Sequence, residues 1–166
     1  MKLISACVVV ALVPAIRAAD DWTKVAPEGG KCEIMFPGKA KETDQKGGKQ
    51  LMVEREGGKA AMLLQFNDIG AIDIKNAEAV KVIMDGASGG LKTVFKSAKV
   101  QSEKDFKFNN KYPAREIEMD VPMLGIYRTR FVLTGSKVYQ VTVLGPKDYQ
   151  ASAEVKKFLE SFKITE

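Results

Sequence analysis

Between Tyr112 and Phe162 the chain runs through three stretches of alternating apolar and polar residues and then changes period. Ala114 to Val121 sets Glu116, Glu118 and Asp120 against Ile117, Met119 and Val121, the period-two pattern of a half-buried strand. Ile126 to Leu133 places Tyr127, Phe131 and Leu133 opposite Arg128 and Arg130, and Lys137 to Leu144 adds Tyr139, Val141 and Val143. The three apolar sets are predicted to share one face. A slip of one residue would move every apolar side chain to the wrong side, so register follows from keeping both faces consistent. A three-residue loop Met123-Leu124-Gly125, with Gly125 left-handed, does so. It sets Asp120 opposite Arg128, Glu118 opposite Arg130, Ile117 opposite Phe131 and Val121 opposite Tyr127. A short loop around Gly135 then brings Phe131 opposite Tyr139 and Arg130 opposite Gln140. After Gly145-Pro146, residues Ala151, Val155, Phe158, Leu159 and Phe162 fall at helical spacing, with Lys156, Lys157 and Glu160 between them. That amphipathic helix is expected to dock on the face carrying Tyr127, Phe131, Tyr139 and Val141.

Upstream, Cys32, Ile34 and Phe36 are in phase on a strand that ends at Pro37-Gly38, and the polar stretch 39–49 reads as a loop. Leu51 to Glu56 and Ala60 to Phe66 read as strands joined at Gly57-Gly58 by a two-residue hairpin turn. Asn76 is placed to cap a helix whose stripe is Val80, Ile83, Met84, Ala87 and Leu91. Gly86 and Gly89-Gly90 weaken its second half; they either allow close packing or end the helix near Ser88. Thr93 to Val100 and Glu103 to Phe108 are weaker strand candidates, the second with Phe106 and Phe108 in phase. Asn109-Asn110-Lys111 is a turn before Tyr112-Pro113. The expected class is α+β: an antiparallel sheet of about six to seven strands flanked by two helices, one domain over 19–166 with no repeat or linker.

Residues 1–18 read as a signal peptide: Lys2, an apolar run from Leu3 to Val13, Pro14, and small residues at Ala18-Ala19. The run is about half of the ~20 residues that a membrane span needs. The competing structural reading is a buried N-terminal helix or strand. Ile4-Ser5-Ala6-Cys7 resembles a lipidation signal, but only three residues precede it. Cleavage after Ala18 removes Cys7 and leaves Cys32 as the one cysteine, in phase with Ile34 and Phe36 and so expected in the core. It also removes Lys2 and Arg17, taking 26 basic residues to 24 against 21 acidic. The lysines are scattered among acids, so no nucleic-acid-binding surface is expected.

The chain has no histidine. Ser-His-Asp and Cys-His hydrolases and zinc or copper sites of usual type are thereby excluded. The row Glu116, Glu118 and Asp120 has two readings: a divalent-cation or acid/base site, or an exposed strand face answered by Arg128 and Arg130. The predicted register favours the second. The glycines at 29–30 and 86–90 lack the spacing of a phosphate-binding loop. No catalytic, metal or cofactor residue is assigned, and binding residues are not located.

Several stretches are similar to the PsbP-like domains, which include an extrinsic subunit of the oxygen-evolving photosystem and small exported bacterial proteins. They are Gly30 and Phe36-Pro37-Gly38, Tyr112-Pro113-Ala114-Arg115-Glu116, Tyr139-Gln140-Val141-Thr142-Val143, and Phe158-Leu159-Glu160-Ser161-Phe162. Their order and spacing carry the likeness, over most of residues 22 to 164. It implies an antiparallel sheet flanked by helices and a non-enzymatic accessory role. The plant subunit's metal-associated histidines have no counterpart here. The expected function is an exported, periplasmic or extracellular module, monomeric or weakly associating, that binds a protein or envelope partner, with no cofactor and no stable membrane insertion. The charged face and the 39–49 stretch are its candidate surfaces. The alternatives are an enzyme with a carboxylate or lysine site, such as one at Glu116, and a structural envelope protein.

Overall fold

Residues 21–165 are described by a computed structural model; the signal-peptide reading of 1–18, with Cys7, lies outside them. The chain order is β1 (Trp22–Val25), β2 (Cys32–Pro37), β3 (Lys41–Gln45), β4 (Gly48–Arg55), β5 (Ala60–Asp68), α1 (Ala77–Val94), β6 (Lys99–Phe108), β7 (Tyr112–Val121), β8 (Gly125–Leu133), β9 (Lys137–Gly145), α2 (Lys147–Gln150), α3 (Ala153–Ser161) and β10 (Lys163–Ile164). Seven strands form one antiparallel sheet, ordered β3-β4-β5-β9-β8-β7-β6, and three form a small sheet, β1-β2-β10. This is the expected α+β class.

The large sheet is covered on both faces. Leu51, Met62, Leu64, Phe66, Tyr139 and Val141 pack with Cys32, Ile34 and Phe36 of the small sheet and with Val155, Phe158 and Phe162. The opposite face presents Ile117, Met119, Val121, Phe131 and Leu133 to Met84 and the partly buried Val80, Ile83, Ala87 and Leu91 of α1. The helices α1 and α3 therefore lie on opposite sides of the sheet.

Three parts of the predicted pairing are corrected. The β7–β8 loop is Pro122-Met123-Leu124, closing on Val121 opposite Gly125, so the partners are Glu118 with Arg128, Glu116 with Arg130 and Met119 with Tyr127. The shift is by two residues and keeps every side chain on its face. A Cβ on Gly125 would lie 2.5 Å from the Gly145 carbonyl oxygen, which is why glycine stands in the strand there. The β8–β9 pairing is off by one: Phe131 lies opposite Gln140 and Val132 opposite Tyr139. Phe131 and Tyr139 consequently face opposite cores. The third is the Gly57-Gly58 turn, which spans four residues because Arg55 pairs with Ala60.

Other boundaries also move. The 39–49 stretch contains the exposed edge strand β3 and its turn into β4 instead of a loop. Residues 93–94 belong to α1, so the Thr93–Val100 strand candidate is replaced by a helix end and the start of β6. Asn76 caps α1 as expected, its side chain accepting from the Glu78 and Ala79 amides. The helix continues through its glycines to Val94, and a Cβ at Gly86, Gly89 or Gly90 would meet nothing within 4 Å. The glycines thus serve neither close packing nor termination. Ala151 is exposed ahead of α3, while Phe162 ends it with its ring buried.

Candidate functional site

Residues from three of the resembling stretches meet in the core beneath the small sheet. The Tyr139 hydroxyl donates to the Gly30 carbonyl at 2.9 Å, and the Phe162 ring lies 5.5 Å from that of Tyr139 and 5.4 Å from that of Phe108. The Phe36 and Phe158 rings meet at a tilt of 50°, their centroids 5.2 Å apart. These residues join the two sheets. Cys32 is sealed among them, and burial pushes its thiol up to about 12 despite the nearby Lys137 ammonium. A thiol held protonated at neutral pH is inert. Lys137 is itself buried and pairs with Asp68.

The carboxylate row on β7 resolves into an ion pair. Burial raises the Glu116 carboxyl, but hydrogen bonds from Arg128 at 2.9 Å and Arg130 at 2.8 Å outweigh it and hold the group below its ordinary range. One acid thus answers both arginines, where Glu118 and Asp120 were expected to. The Arg130 guanidinium also lies over the Phe106 ring at 5.4 Å. Both carboxylate oxygens of Glu116 are engaged by the two arginines. Among the described residues, no group of three or more Asp, Glu or Cys side chains is placed to hold a metal ion.

The other face of the sheet is open at one end. A cleft of about 610 Å³ lies between the first half of α1 and strands β6 and β7, within the ~300–1,000 Å³ range of small-molecule sites. Its apolar lining comes from Ile74, Ala77, Val80, Met84, Pro113 and Ala114. Helical spacing puts Ala77, Val80, Lys81 and Met84 on adjacent turns of one side of α1. Lys75, Lys81, Lys107 and Lys111 stand around this lining, with Asp105 and Arg115 at its inner wall.

Arg115 organises that wall. It is 8% exposed, and its side chain is in phase with Ile117, Met119 and Val121, so it points at α1. Asp105 takes a forked pair from it, at 2.6 Å and 3.0 Å, and one amino group reaches Asp85 at 2.9 Å, Ser88 at 3.1 Å and Glu103 at 3.2 Å. Lys81 pairs with Asp85 and Lys92 with Glu103, which completes a network tying α1 to β6. Every acid in it is held below its ordinary range: Asp105 by Arg115, Asp85 by Lys81 and then Arg115, Glu103 chiefly by Lys92. Sequence reading assigned Arg115 no role, although one signal was available: a charged residue in the buried phase of a strand.

The sequence-derived candidate surfaces thus do not converge. The Glu116 ion-pair face and the β3 edge lie apart from the α1 cleft, while Pro113-Ala114-Arg115 of the resembling stretch run along the cleft wall. No helix among the described residues is long and apolar enough to cross a membrane.

No family model matches the chain, and no curated protein matches it. It is similar to the solution structure of cyanobacterial PsbP (CyanoP) from Synechocystis sp. PCC 6803, with a TM-score of 0.62 at 10% identity, covering 93% of this chain and 98% of that one. The chain therefore has the PsbP-like fold.

Proposed function

We propose that this chain is an exported, monomeric, non-enzymatic accessory module, one domain over 19–166, that binds a protein or envelope partner through the α1–β6–β7 cleft. The observation that carries the proposal is the chemistry of the cleft. Its surface is apolar, and its charged inner wall is bound into structural ion pairs. A general acid or base works best with its pKa near the operating pH, and the usual route for a carboxylate is an upward shift. The carboxylates here move the other way. The likeness to PsbP supports an accessory role by analogy of fold.

Two experiments test this reading. Sequencing the mature N-terminus should find the chain starting after Ala18; a retained Met1 ends the export argument. A photo-crosslinking amino acid in place of Lys107, in the cells of origin, should give one specific adduct that is missing when it replaces Lys156 on the far face. Equal adduct patterns from both positions would remove the cleft from the proposal.

A further inference from the structure

We infer that the α1–β6–β7 cleft binds a single-chain amphiphile: its aliphatic tail lies on the cleft lining and its anionic head group meets the Lys75 and Lys107 ammoniums. This rests on the reading of the chain as a binding module and names the ligand class.

The tail follows from the lining. Ile74, Val80 and Met84 belong to or pack against the apolar core, and the cleft extends that surface outward between α1 and Pro113. Ile74, Ala77 and Val80 keep part of their surface in water, and covering it with an alkyl chain is favourable at ~0.8 kcal/mol per buried CH2. The volume of about 610 Å³ is of the size that takes a small ligand or a single alkyl chain.

The head group follows from charge. Five cationic side chains and one carboxylate line the cleft. Arg115 is engaged by Asp105, Asp85 and Glu103, and Lys81 by Asp85. Lys111 lies 4.6 Å from the Tyr112 ring centroid. Lys75 and Lys107 make no ion pair among the described residues, and they come from the turn before α1 and from β6, two segments that line the same cleft. Ala77, the first residue of α1, also lines the cleft, so the positive end of the helix dipole adds to the same field. A cationic amphiphile would meet like charge, and a neutral one would leave the ammoniums unused. The one carboxylate of the lining, Asp105, already holds Arg115 in a forked pair, which removes it as a cation ligand.

The chemistry of an anionic head on an alkyl tail is common to free fatty acids and to anionic lipids in a membrane, and the test separates them. Calorimetric titration of the full mature chain with dodecanoate and with dodecyltrimethylammonium, both below their micellar concentrations, should give saturable one-to-one binding of dodecanoate at least tenfold tighter than the cation. Amide shifts should concentrate at Ala77, Val80, Met84 and Arg115. The double substitution Lys75→Glu and Lys107→Glu should weaken dodecanoate at least tenfold, whereas Lys156→Glu with Lys157→Glu should leave it unchanged. Ala77→Trp, at an exposed position, should fill the cleft and abolish binding while circular dichroism stays native. Absence of saturable binding, equal affinity for the two amphiphiles, or shifts mapping outside the cleft would overturn the inference. So would flotation with phosphatidylglycerol vesicles that dodecanoate fails to compete, because the anion recognised would then be a membrane surface. A position-107 adduct in cells without dodecanoate binding would overturn this inference and leave the module reading standing.

Discussion

The two sides of the large sheet are built differently. Beneath the small sheet, aromatic rings of β2, β9 and α3 interlock, and Ile34, Phe36, Phe158 and Val141 are wholly removed from water. On the other side one helix, containing three glycines, covers β7 and β8, and Met84 and Ser88 are its buried residues. The first side is held by close packing, which is sensitive to each methylene. The second is held by packing and by ion pairs around Arg115, and it leaves a cleft. The interlocked rings and the cleft thus lie on opposite faces of one sheet, so a change in the cleft lining leaves the aromatic core untouched.

The largest expected effect tests the packed side. Phe158→Ala removes a ring with 0% exposure and should reduce stability by ~3–5 kcal/mol in urea denaturation. Met84→Ala on the cleft side should cost only ~2 kcal/mol, because the space left adjoins the cleft and can hydrate. Equal losses would break the comparison.

Arg115→Met tests the ionic component of the second side. Loss of a fully buried partner costs ~3–5 kcal/mol, but Asp85 and Asp105 are partly in water, so ~1–2 kcal/mol is expected at neutral pH. The acids are depressed in the folded state. Their contribution is therefore complete above the unfolded carboxylate range near pH ~4 and is lost as pH falls through the lower folded values. The wild type should lose stability steeply on acidification below that range, and the Arg115→Met variant less steeply. Parallel acid limbs would show that the network adds nothing.

The cap is a smaller lever on the same side. Asn76→Ala frees the Glu78 and Ala79 amides and should lower the melting free energy by ~1 kcal/mol. Thermal unfolding monitored by circular dichroism reads this directly.

Legibility from sequence followed the same divide. The α+β class, the Asn76 cap, the apolar stripes of α1 and α3 and the burial of Cys32 were all legible, because each rests on local periodicity or capping chemistry. The β8–β9 register was not. Phe131, Val132 and Leu133 are all buried, so this strand is covered on both sides and its run carries no alternation to say which face is which. The strand β1 and the edge strand β3 were missed for the opposite reason. They carry few apolar residues, and pairing with β2 and β4 defines them. The cleft was invisible because it depends on how α1 packs against β6 and β7, which periodicity along each element does not encode, although Arg115 in the buried phase of β7 marked its wall.

The smallest expected effect runs in the stabilising direction and asks whether α1 is the weaker cover. Gly86, Gly89 and Gly90 have helical neighbours and open space where a Cβ would stand. Alanine at each should add ~0.5–1 kcal/mol, since the folded helix accepts the methyl without contact while the unfolded chain loses freedom. If the α1 side opens first, hydrogen exchange of the α1 amides should slow in Gly86→Ala by that amount, while amides of β2 and β9 exchange at unchanged rates. Equal slowing at β2 and β9 would mean that both faces open in one cooperative step, and the mechanical division between them would fail even with the cleft intact.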